Sequence, residues 1–67
     1  MRYKFVLRGH LSATLERSIE PLSVSVHGKS TEIIVDVVDD AELYGIIDRL
    51  ERLRIGIKSF EEANSQS

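Results

Sequence analysis

The sequence predicts an α+β fold: a four-stranded antiparallel sheet with two helices on one of its faces. Three observations lead there. Apolar and polar residues alternate in Tyr3–Leu7 and in Leu22–His27, which is the period of a half-buried strand, and Thr31–Val38 is β-branched and rich in valine and isoleucine. Leu43, Ile46, Ile47, Leu50 and Leu53 recur at helical spacing, giving an apolar stripe on an otherwise polar segment. Between the second and third strand segments stands Gly28-Lys29, and glycine first is the composition of a two-residue type II′ hairpin turn.

The remaining elements follow in order. Gly9 ends the first strand, in which Tyr3, Phe5 and Leu7 share one face and Lys4, Val6 and Arg8 the other. Leu11, Leu15 and Ile19 recur every four residues between Ser12, a suitable N-cap, and Pro21, which stops a helix; a short helix is expected over Ser12–Glu20. In the third strand Ile33, Val35 and Val37 face the core. Asp39 and Asp40 open the long helix, and Arg49, Arg52 and Arg54 crowd its end, each sign where the helix dipole favours it. Ile55–Phe60 is the last strand segment, with Ile55 and Ile57 inward, and Glu61–Ser67 is expected as a flexible polar tail beyond a single domain spanning 1–60. The order βαββαβ is the ferredoxin-like split pattern, which implies a sheet of order 4-1-3-2.

Charge suggests a register. If the first and third strands pair with residue numbers summing to 40, Arg8 faces Glu32, Lys4 faces Asp36, Val6 faces Ile34, and Leu7, Phe5 and Tyr3 face Ile33, Val35 and Val37. Opposite charges across a strand pair stabilise it. The tight turn independently places Val26 by Thr31 and Val24 by Ile33.

Composition bounds the function. The chain has 67 residues, 42% hydrophobic and 30% charged, with a net charge of -2. It is one small domain. Nine basic against eleven acidic residues argue against a nucleic-acid partner, which calls for a strongly basic domain. No cysteine is present, which removes disulfides, thiolate-bound zinc, iron–sulfur clusters and thiol catalysis. No apolar run approaches the roughly 18 residues of a membrane span and no signal-peptide core opens the chain; a cytoplasmic protein with no membrane partner is expected.

Arg8-Gly9-x-Leu11-Ser12 and Asp40-Ala41-x-Leu43-x-Gly45-x-Ile47, followed by Arg49-Leu50 and a final apolar strand, resemble short uncharacterised bacterial proteins of similar length, a family without an assigned activity. In element order the chain is also similar to ACT-type regulatory domains. That resemblance implies an amino-acid ligand at the glycine of the first strand-to-helix loop, here Gly9-x-Leu11, and pairing with a second copy. Leu7 and Arg8 stand where ACT domains carry an acid and a proline.

The topology gathers Arg8, His10, His27, Lys29, Arg52 and Arg54 at one end of the sheet, and Glu20, Asp39, Asp40, Glu61 and Glu62 at the other. Arg8, Gly9, His10, Ser12 and Lys29 form a candidate site for a small anion such as phosphate or a carboxylate. His10, His27 and Glu32 lack a metal-ligand spacing, so no metal and no cofactor is expected. No serine has an identifiable base, no glycine-rich phosphate loop exists, and Asp39-Asp40 reads as helix-start chemistry; catalysis is not expected. The open sheet face presents Lys4, Val6, Arg8, Glu32, Ile34 and Asp36, with none of the rings that stack RNA bases. Its Val6–Ile34 centre with Phe60 nearby, rimmed by Lys4, Arg8, Asp36 and Lys58, has the anatomy of an interface. Ala41 and Gly45, small residues four apart on the outer side of the long helix, offer a second contact. A core this small rarely supplies more than ~3–5 kcal/mol without a staple, so the expected function is a non-catalytic module that forms a homodimer. The alternative is an ACT-like domain binding an anion or amino acid at the first loop.

Overall fold

The computed structural model describes residues 1–63. Its elements are β1 (Arg2–Arg8), α1 (Ala13–Ile19), β2 (Ser23–His27), β3 (Ser30–Asp36), α2 (Asp40–Arg52) and β4 (Ile57–Glu62). The strands form one antiparallel sheet in the order β2-β3-β1-β4, the 4-1-3-2 arrangement expected. Phe5 and Leu7 of β1, Ile33 and Val35 of β3 and the following Val37 are buried with Leu15 and Ile19 of α1 and Leu43, Ile46 and Leu50 of α2. The strand residues are alternate ones, so they share the sheet face that the helices cover.

Both helices begin as the sequence implies. Ser12 Oγ accepts from the Leu15 N–H at 3.1 Å, and Asp39 Oδ1 accepts from the Glu42 N–H at 2.9 Å, each satisfying an N–H with no partner inside its helix. The β2–β3 hairpin also matches: Val26 faces Thr31 and Val24 faces Ile33, and Gly28 has φ 61, the positive value that the first turn position of a type II′ turn requires.

The β1–β3 register differs from the expected one by two residues. Val6 faces Glu32, Lys4 faces Ile34 and Arg8 faces Ser30, so Val6 does not oppose Ile34 and neither expected charge pair is direct. A shift of two keeps every side chain on its own face, so the apolar pattern cannot separate the two registers. Exposed ion pairs are worth too little to decide between them, and here the charges pair anyway: Lys4 Nζ reaches Glu32 diagonally at 3.7 Å and Glu61 of β4 at 3.5 Å. Backbone bonds past the strand end fit the observed register. The Gly9 N–H donates to Lys29 O at 2.6 Å, and the hydroxyl of buried Thr31 donates to Gly9 O at 2.6 Å.

The last strand starts and ends two residues later than expected. Arg54 adopts φ 60, its N–H donates to Glu51 O, and the Ile55 N–H reaches back to Leu50 O, both at 3.0 Å. This pair of bonds around a left-handed residue is a Schellman closure of α2, with its usual apolar contact between the residue after it, here Ile55, and Leu50. Ile55 is therefore a helix-closing anchor outside β4, and Leu53, expected on the buried stripe, sits at the helix end 57% exposed. Glu61 and Glu62, expected in the tail, belong to β4; the tail residues 64–67 lie outside the described residues.

A left-handed conformation strains any residue with a Cβ by roughly 1–2 kcal/mol. Arg54→Gly is therefore expected to stabilise the domain by about 0.5–1 kcal/mol, net of the greater backbone entropy that glycine loses on folding. Urea unfolding of the variant against the parent measures it, and a destabilised variant would contradict the closure described.

Candidate functional site

Three surfaces carry the chemistry the sequence offers. The first is an open concavity of about 590 Å³ lined by Arg8, Gly9, His10, Lys29, Ser30 and Lys58. Every ionisable residue of that lining is basic. Its frame is stitched by main-chain contacts: the Gly9–Lys29 bond, and His10 Nε2 at 3.0 Å from Gly28 O. Arg8 lies along the backbone at Gly56, where an added Cβ would come within 3.0 Å of its Cδ, and the Arg8 N–H donates to Gly56 O at 2.8 Å.

Lys58 enters this site through an irregularity of the sheet. The β1–β4 register shifts between Val6 and Leu7, because Val6 faces Ser59 while Leu7 faces Ile57. The extra residue is Lys58, and its Nζ donates to Ser30 Oγ at 2.9 Å. A bulge re-aims a side chain in this way, and strict alternation in the sequence gives no hint of it. Four of the five expected site residues are brought together here: Arg8, Gly9, His10 and Lys29. Ser12 is not among the lining residues, because its hydroxyl caps α1. Arg52 is held by Asp48 at 3.0 Å, one helical turn away, and Arg54 lines a neighbouring depression with Glu51 and Gly56. Among the described residues no group of three His, Asp or Glu is placed to hold a metal ion.

The second surface is the open sheet face. Val6 and Ile34 are half-buried there, yet they stand diagonal to one another, with the Lys4–Glu32 ion pair occupying the other diagonal. The apolar centre is thus interrupted. Phe60 does not join it. Phe60 faces Phe5 across β4 and β1, and the rings stack at 5.4 Å, on the face the helices cover. The bulge reverses the parity of β4 between Lys58 and Phe60, which is why the sequence misplaces that ring. Ala41 and Gly45 are exposed on α2 as expected, and no atom lies within 4 Å of a Cβ added at Gly45.

The third surface was not legible in the sequence. Phe60, 46% exposed, lies 6.4 Å from the half-buried Tyr3. On α2, Tyr44 is 63% exposed and Ile47, one turn on, is half-buried against the core. Desolvation, then the Glu62 and Asp40 carboxylates and Tyr44, hold the Tyr3 phenol above its ordinary pKa. Tyr3 and Phe60 make an aromatic flank along the β4 edge, with Glu61 and Glu62 at the strand's end.

A family described as a domain of unknown function, DUF8691, matches residues 2–61, from the start of β1 to the penultimate residue of β4. The chain belongs to the DUF8691 family. No curated protein and no solved structure matches it, and the family match shows no resemblance to ACT-type domains. The basic concavity lies wholly inside the DUF8691 match, as do Tyr3 and Phe60 of the flank. No helix among the described residues is long and apolar enough to cross a membrane.

Proposed function

We propose that this DUF8691 chain is a non-catalytic interaction module that works by pairing with a second copy of itself. The observation that carries the reading is the aromatic flank, where Phe60 remains 46% exposed on the edge strand β4, 6.4 Å from the Tyr3 ring. An exposed aromatic on the outermost strand of a sheet marks an association surface, and a symmetric pair needs only one self-complementary patch. A domain of this size without cysteine gains stability from such pairing. Light scattering over a concentration series from low to high micromolar is expected to show the mass rise toward twice that of the chain. A constant monomer mass throughout would overturn the reading.

The all-basic concavity supports a second reading, binding of a small anion bearing a phosphate or carboxylate group. Three cationic side chains, Arg8, Lys29 and Lys58, around one hollow with no acid in its lining raise the local concentration of such ligands. Titrating inorganic phosphate into the labelled protein is expected to shift the amides of Arg8–His10, Lys29, Ser30 and Lys58. Lys58→Ala is expected to weaken that response several-fold. Unchanged spectra up to ten millimolar phosphate would remove this reading.

A further inference from the structure

We infer that the basic hollow takes the phosphomonoester group of a small organic molecule, as a dianion, and turns away ligands that carry an ammonium group. This rests on the anion-binding reading and adds the ligand class. The hydrogen bonds already made around the hollow decide what is left for a ligand. Gly9 O accepts from the Thr31 hydroxyl, and Lys29 O from the Gly9 N–H, both at 2.6 Å. Gly28 O lies 3.0 Å from His10 Nε2. A carbonyl only accepts, so Nε2 carries the hydrogen of that contact. With the Gly9 amide spent on Lys29, side chains must supply the donors. Ser30 Oγ accepts from Lys58 Nζ at 2.9 Å, which leaves the hydroxyl its own hydrogen to donate and Lys58 its other N–H groups. The Arg8 and Lys29 side chains make no hydrogen bond or ion pair among the described residues.

Arg8, Lys29, Lys58 and the Ser30 hydroxyl thus line one hollow with hydrogens to give and no carboxylate beside them. A phosphomonoester carries about −1.5 to −2 charge at pH 7 and three strong acceptor oxygens, which matches both the charge and the donors. A carboxylate brings about half that charge and one acceptor oxygen fewer, so the same groups hold it less well. An ammonium group meets three cations. The side-chain acceptors left to it are uncharged: Nδ1 of neutral His10 and the remaining lone pair of Ser30 Oγ. A free amino acid, which joins one carboxylate to one ammonium, is therefore a poor ligand here. The hollow, about 590 Å³, falls within the roughly 300–1,000 Å³ of small-molecule sites, which leaves room for an organic body behind the phosphate.

Four probes of similar size separate these cases: ethyl phosphate, O-phosphoethanolamine, butyrate and alanine. Each is titrated into the labelled chain at pH 7.5 in about 0.1 M salt, where charges are screened beyond about 10 Å. Read at the amides of Arg8–His10, Lys29, Ser30 and Lys58, ethyl phosphate is expected to bind at least about five-fold more tightly than O-phosphoethanolamine or butyrate. Alanine is expected to leave those amides unmoved. Ser30→Ala and Lys29→Gln are each expected to weaken ethyl phosphate several-fold. Lys4→Gln, four residues along β1 from Arg8 and so about 13 Å away, is expected to change nothing. A preference below five-fold over either probe, or binding of alanine, would overturn the ligand class while leaving anion binding standing. Ethyl phosphate bound unaltered by both Ser30→Ala and Lys29→Gln would overturn the assignment to this hollow. No shift with any probe up to ten millimolar would overturn the anion reading as well.

Discussion

Phe5→Ala is expected to leave the chain largely unfolded at 25 °C. Phe5 is fully buried at the centre of the sheet, facing Ile33 on one side and stacked on Phe60 on the other. Removing a buried phenyl group costs about 3–5 kcal/mol, the lost transfer energy plus the cavity left behind. A core of this size rarely provides more than ~3–5 kcal/mol in total, so the substitution consumes most of the stability. Far-ultraviolet circular dichroism and urea unfolding measure it. A loss below about 1 kcal/mol would mean that Phe5 is not where the β1–β3 and β1–β4 pairings put it.

Phe60→Lys is expected to abolish self-association and to spare the fold. Its ring is half-exposed at the sheet edge, so folding loses one stacked aromatic contact, about 0.5–1.5 kcal/mol beyond burial. In the proposed pairing the same position lies within the aromatic contact surface, where a lysine would be desolvated. A rise in the dissociation constant of at least ten-fold, about 1.4 kcal/mol, is expected by light scattering, with the circular dichroism spectrum retained. Val6→Lys on the open sheet face is expected to leave the mass profile unchanged, because the Lys4–Glu32 ion pair already divides that face. Self-association lost with Val6→Lys and kept with Phe60→Lys would move the interface to the open face.

The fold was legible because its signals are local. Alternation in Tyr3–Leu7, the stripe of Leu43, Ile46 and Leu50, the Ser12 and Asp39 caps and the Gly28 turn each act over a few residues, and they agree with one another. What was not legible depends on how segments meet. The β1–β3 register is degenerate under a shift of two, since Phe5, Leu7, Ile33 and Val35 stay inward in either case. The bulge that brings Lys58 to the basic hollow and turns Phe60 to the helix side has no mark in the sequence. Nor has the Schellman closure, which rests on a non-glycine residue, Arg54, in the left-handed region. The candidate site divides along the same line. Arg8, Gly9, His10 and Lys29 lie at the ends of elements whose order the sequence specifies, whereas Lys58 and the Tyr3–Phe60 flank depend on side-by-side packing of β4 with β1.

The most direct measurement of the central claim is the concentration dependence of the amide spectrum of the unmodified chain. Between ten micromolar and one millimolar, the amides of Tyr3 and Phe60 are expected to shift most, and those of Val6 and Ile34 to stay close to their dilute positions. Shifts centred on Val6 and Ile34, or none anywhere over that range, would contradict a module that pairs through its β4 flank.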